Sequence, residues 1–181
     1  MTLVFLLEEK SMKAFLEQLL PRVLPDVEVR LVPHEGKSDL ERSIPRKLRA
    51  WRTPDTRFVV VRDQDSGDCK AIKRRLGDLC AEGQRPDTLV RIACHELESW
   101  FLGELQAVSD AFDAPAVAKL QVSAKYKEPD HLGSPSKELQ KLVPSYQKTS
   151  GARRVGEHFD PQRCRSRSFQ VFLDGVRRVA G

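Results

Sequence analysis

No stretch of this chain stays apolar for long. Its longest uninterrupted runs, Leu3–Leu7 and Phe58–Val61, are strand-sized, far short of the ~20 residues a helix needs to cross a bilayer. No membrane partner is therefore expected. The opening residues, Met-Thr-Leu-Val-Phe-Leu-Leu-Glu-Glu, lack the basic n-region and small-residue cleavage site of a secretory leader, so the expected location is cytoplasmic. Cysteine is sparse: Cys69, Cys80, Cys94 and Cys164 form no CxxC pair. That spacing argues for reduced thiols and against a zinc knuckle or a disulfide framework. Internal repeats and low-complexity tracts are also missing.

What remains is ordinary globular material with an uneven charge. The 181 residues are 40% hydrophobic and 31% charged, with a mean hydropathy of -0.46, enough for one sizeable core. The net charge is +5. All of this excess lies in the segment from Lys148 to Gly181, with eight basic and three acidic residues. A second basic cluster, Lys37 to Arg62, holds eight basic and three acidic residues around Trp51. Such clusters permit a polyanionic partner, because Lys and Arg contacts to phosphate need no sequence preference. The competing reading for Arg42, Arg46, Lys47 and Arg49 is a solvated helix face or a surface for an acidic protein.

Through the first hundred residues two periodicities alternate. Leu3–Leu7 reads as a strand buried on both faces, and Ser11 reads as the cap of a helix with Met12, Phe15, Leu16, Leu19 and Leu20 inward, ended by Pro21. Val27, Val29, Leu31 and Pro33 alternate with polar residues, as on an edge strand. Ser38-Asp-Leu-Glu41 reads as a capping box opening a helix to Trp51 that Pro45 must kink or restart. Arg57–Arg62 is a second buried strand, Asp68–Cys80 a helix, Thr88–Ala93 a fourth strand and His95–Leu102 a helix. This order predicts an α/β fold: a mainly parallel four-stranded sheet flanked by helices. After Gly103, prolines divide the chain into short helices, the last spanning Ser166–Val179. The expected organisation is a core over 1–103 and a helical C-terminal extension over 104–181 packed on it as a single compact domain.

Ligands in open α/β sheets sit at the carboxyl ends of the strands, and acid stands there in this chain. The first strand runs into Glu8-Glu9, the third into Asp63-Gln64-Asp65, and the fourth into His95-Glu96-Leu97-Glu98. Alternation in an extended segment places Asp63 and Asp65 on one side, and a neighbouring first strand brings Glu8 toward them. Converging carboxylates repel unless a cation offsets them, and hard divalent ions take oxygen ligands. A Mg²⁺ or Mn²⁺ site follows. Taken singly, Asp68 and Glu96 read more readily as helix caps than as ligands.

These residues carry a resemblance. Leu6-Leu-Glu-Glu-Lys-Ser11, Val59-Val-Val-Arg-Asp-Gln-Asp65 and Arg91-Ile-Ala-Cys-His-Glu-Leu-Glu-Ser-Trp-Phe101 resemble the family catalogued as domain of unknown function 4276. That is a small Toprim-like bacterial family, often encoded beside an AAA-type ATPase and related to the Toprim nuclease domain of OLD-family proteins. The likeness covers residues 3–103 and recurs at Lys148–Gly151 and Arg165–Phe169. It implies a Toprim-type nuclease acting on DNA or RNA in a phage-defence setting. Glu8 would be metal ligand or general acid/base, Asp63 and Asp65 the metal-binding pair, and Glu98, with Glu96 beside it, the further acid. Lys148 would offset phosphate charge. The family usually has Glu-Gly after the first strand and an acid three residues on. Here Glu9 and Met12 stand instead, so one expected carboxylate is missing unless Glu9 replaces it.

Two other readings remain open. Val-Val-Arg-Asp-Gln-Asp-Ser resembles the first motif of haloacid-dehalogenase-type phosphatases, in which Asp63 would be a covalent nucleophile and Glu8 idle. Alternatively, the chain is a catalytically weakened adaptor that binds an ATPase or nucleic acid. His95 is placed to ligate metal, shuttle protons or cap a helix. Cys94 at a buried strand end makes a poor nucleophile, and the two tryptophans read as core or interface.

Overall fold

The computed structural model describes residues 1–181. Strands and helices alternate as the periodicities predict: β1 Thr2–Leu7, α1 Lys10–Val23, β2 Glu28–Pro33, α2 Lys37–Ala50, β3 Thr56–Asp63, α3 Cys69–Glu82 and β4 Leu89–Ala93. Helices alone follow: α4 Glu98–Leu102, α5 Leu105–Phe112, α6 Pro115–Ala118, α7 Pro135–Leu142, α8 Lys148–His158 and α9 Arg167–Ala180. The strands form one sheet in the order β2-β1-β3-β4, and every pairing is parallel. Leu7 lies beside both Pro33 and Val61, and Asp63 beside Ala93, so the carboxyl ends of the strands share one rim.

Period-2 alternation divides the core into two layers. Leu3, Phe5, Leu7, Val59 and Val61 face the larger layer, where Phe15 of α1, Trp100 and Phe101 of α4, Val155 of α8 and Phe169 and Phe172 of α9 close over them. Val4, Leu6, Phe58 and Val60 face the smaller layer beneath Leu40, Ile44 and Leu48 of α2 and Leu76 of α3. Helices on both faces explain why β1 is apolar at every position. The residues beyond Gly103 supply much of the cover on the larger face. α8 approaches α1 so closely that a Cβ at Gly156 would lie 2.9 Å from the Phe15 carbonyl oxygen.

Four local expectations change. Ser11 does not cap α1, which begins at Lys10 after the N-cap residue Glu9; the Ser11 hydroxyl donates to the Glu9 carboxylate at 3.3 Å instead. Pro21 does not end α1, which continues to Val23. The Arg22 guanidinium anchors this last turn by donating to the carbonyls of Gly156 and Phe159. Ser38 does not open α2: its N-cap is Gly36 at φ 95°, a left-handed conformation that suits glycine. Glu41 turns instead to the guanidinium groups of Arg62 and Arg75, each at 2.7 Å. Pro45 lies inside one uninterrupted helix. By contrast, Asp68 caps α3 as expected, accepting from the Ala71 amide at 2.7 Å. No helix is long and apolar enough to cross a membrane.

Candidate active site

β1 hands the chain to Glu8, β3 ends on Asp63, and the turn after β4 delivers Glu98 as the first residue of α4. All three are buried, with Glu98 fully so. The Glu8 carboxylate accepts from the Asp63 amide at 3.0 Å and lies 3.8 Å from the Arg62 guanidinium. One Glu98 oxygen, Oε1, accepts from the Tyr146 hydroxyl at 2.9 Å. The other, Oε2, is buried with no partner. At the mouth, Lys148 begins α8 and meets Glu9 at 2.5 Å.

The crevice is short of positive charge. Burial pushes the Asp63 carboxyl well above the usual range, and the charges of Glu98, Glu8 and Glu9 push the same way. Glu8 is raised chiefly by burial, against the Asp63 amide that favours its charged form. Glu98 is raised by burial too, while the Tyr146 hydroxyl and Lys148 oppose it. Burial would lower the Lys148 ammonium, but its bond to Glu9 and the charges of Glu98 and Asp63 leave it raised, and so firmly protonated. These like-charged carboxylates are the arrangement whose repulsion a cation relieves.

Two members of the expected set behave differently. Asp65 does not continue the strand: it takes φ 54°, so the alternation that would align it with Asp63 is lost. It is solvent-facing, 3.7 Å from Lys37, yet its charge still raises Glu8. Glu96 accepts from the Ser136 amide at 2.7 Å, tying the loop to α7. Met12 lies in the core and offers no ligand. His95 takes φ 56°, with Nδ1 3.2 Å from the Asp65 carbonyl. Arg62 is buried against Glu41 rather than displayed to a polyanion. Trp100 is core, donating to Ser168 Oγ at 2.9 Å. Tyr146 is the residue that sequence reasoning missed. Its only sequence signal is a tyrosine shortly before Lys148.

The donor set suits a hard divalent ion: Glu8, Asp63 and Glu98 offer carboxylate oxygens, and Glu98 Oε2 is an orphan that a cation would satisfy. As the side chains stand, no three His, Cys, Asp or Glu groups are gathered in a metal-holding geometry.

A family model described as domain of unknown function (DUF4276) matches residues 7–177. No curated protein matches the chain. Among solved structures, the C-terminal region of the Burkholderia pseudomallei OLD protein superimposes with a TM-score of 0.58 at 17% identity, covering 99% of this chain and 98% of that one. The C-terminal region of the Xanthomonas campestris pv. campestris OLD protein does so with a TM-score of 0.55 at 14% identity, covering 98% and 95%. At these identities the likeness is one of fold.

Proposed function

The chain belongs to the DUF4276 family, and we propose that it is a metal-dependent phosphoryl-transfer enzyme, a nuclease of Toprim type acting on DNA or RNA. One observation carries the reading: Asp63 is buried within reach of the charges of Glu8, Glu9 and Glu98, an arrangement that a divalent cation would stabilise. Glu8, Asp63 and Glu98 would hold Mg²⁺ or Mn²⁺, with Asp65 at the rim. Bound there, the ion would supply Lewis-acid polarisation of a phosphoryl oxygen and a more acidic water.

The chain's own groups do the rest. Lys148, held protonated at the mouth, offsets negative charge on the phosphate. Tyr146 fixes the Glu98 carboxylate by donating to one oxygen, which leaves the other free to ligate. The Asp63 amide and Arg62 orient Glu8. Basic residues of α2 and α8 would hold the polyanion through its backbone, making affinity fall steeply with salt. An AAA-type ATPase is the partner that the family resemblance suggests, in a bacterial phage-defence system in the cytoplasm.

A second reading, a weakened adaptor, draws on two observations: Met12 is buried where the family carries an acid, and no three donors stand ready for an ion. Calorimetric titration with Mg²⁺ and Mn²⁺, run beside cleavage of plasmid DNA and tRNA with and without a co-expressed ATPase, separates the two. Metal binding and cleavage that Asp63→Ala abolishes are expected of the enzyme. Full nucleic-acid or ATPase affinity with no metal binding points to the adaptor.

A further inference from the structure

Four acids of this chain are buried: Glu8, Asp63, Glu98 and Glu104. Glu8 faces Arg62 at 3.8 Å and Glu104 faces Arg163 at 3.1 Å. Asp63 and Glu98 form no ion pair. At the rim of the crevice the acids are matched as well, Asp65 by Lys37 at 3.7 Å and Glu9 by Lys148 at 2.5 Å. Glu41, which shares Arg62 with Glu8, also has Arg75. The crevice is thus left with two uncompensated carboxylates, the charge that one divalent ion offsets.

Oxygens for one ion are free. Both contacts of Glu8, with the Asp63 amide and with Arg62, fall on Oε2, which leaves Oε1. Tyr146 takes Oε1 of Glu98 and leaves Oε2 buried without a partner. With Asp63, and with the waters that Mg²⁺ retains, these donors suit one coordination sphere. For a second ion the supply fails. Asp65 is turned outward at φ 54°, Glu96 accepts from the Ser136 amide and Met12 lies in the core. Glu9 Oε2 already holds both the Lys148 ammonium and the Ser11 hydroxyl.

We propose that the crevice holds one divalent cation and no second, because Lys148, clamped on Glu9, supplies the charge that a second ion would bring. This stoichiometry rests on the metal-dependent reading above. Two-ion sites set their ions about 3.5–4 Å apart and clamp both the attacking and the leaving oxygen of a phosphate. Lys148 opens α8 at the mouth of the crevice, and the charges of Glu98 and Asp63 act on its ammonium along with that of Glu9. One of those two oxygens therefore falls to an ammonium in place of a metal.

Calorimetric titration of the full chain with Mn²⁺, paired with electron paramagnetic resonance of the bound ion, tests this. The unaltered protein should bind one ion per chain and give the spectrum of an isolated Mn²⁺. Lys148→Arg keeps the charge and should remain at one. Lys148→Glu puts a carboxylate beside Glu9 and should raise the count to two, with the spectrum of a magnetically coupled pair. Lys148→Met removes the ammonium without adding a like charge and should admit a second, weaker ion. It carries the test should thermal unfolding show that Lys148→Glu is not folded. Two ions in the unaltered protein, or a single ion in every folded variant, overturns the proposal. Failure of Mn²⁺ to bind the unaltered protein or any variant overturns the metal-dependent reading itself, and the single-ion site with it.

Discussion

Asp63 stores more electrostatic tension than any other residue of the crevice. Its carboxyl is buried, raised by desolvation and raised again by three neighbouring acids. A raised folded-state pKa means that the fold disfavours the charged form. As pH climbs from the ordinary carboxylate range through the raised value, the unfolded chain has already released its proton and stability falls. Asn keeps the shape and carries no charge. Asp63→Asn should therefore match the unaltered protein at low pH and exceed it increasingly as pH rises. At neutral pH the gain should be on the order of 1 kcal/mol for each unit by which the pKa is raised, read from urea midpoints. Millimolar Mg²⁺ should narrow the gap by stabilising only the Asp63 form. At this scale the positions of Glu8, Asp63 and Glu98 were legible because each follows the end of a strand, whereas Lys148 was suggested only by the family resemblance. Tyr146 was not, because it reaches Glu98 from 48 residues away.

Between elements, the closeness of packing decides what a single methyl group does. In α8, a Cβ at Gly156 would meet the Phe15 carbonyl at 2.9 Å and the Gln18 side chain at 3.0 Å. Gly156→Ala should force α8 from α1 and cost about 1–3 kcal/mol, the usual range for overpacking. In α3, a Cβ at Gly77 meets nothing within 4 Å. Gly77→Ala should stabilise by up to about 1 kcal/mol, because alanine is the better helix former. Urea midpoints that move in opposite directions for the two variants check both. Strand and helix order was readable from periodicity, but helix ends were less so. Pro21 marks an end in sequence, yet tertiary bonds from Arg22 carry α1 past it. The Ser38 and Glu41 pattern reads as a capping box, yet Glu41 finds a stronger partner in Arg62.

Across the whole molecule, the larger core layer joins the two ends of the chain. Phe15 of α1 packs edge-on against Phe159 at 5.0 Å, and Trp100 lies 4.9 Å from Phe172 between ring centroids. A fragment of residues 1–103 would expose Leu3, Phe5, Phe15 and Trp100 to water. We expect it to lack a cooperative thermal transition by circular dichroism, whereas the full chain shows one. The sequence by itself determined the alternating α/β order, the apolar central strands and the acids at three strand ends, because these depend on periodicity and near neighbours. Only the tertiary structure decided which acids are buried together, that Asp65 turns away, that Glu96 is spent on α7 and that Arg62 lies inside. Those outcomes depend on contacts between distant segments, where burial and the nearest opposite charge set each side chain's partner, and no local pattern encodes them.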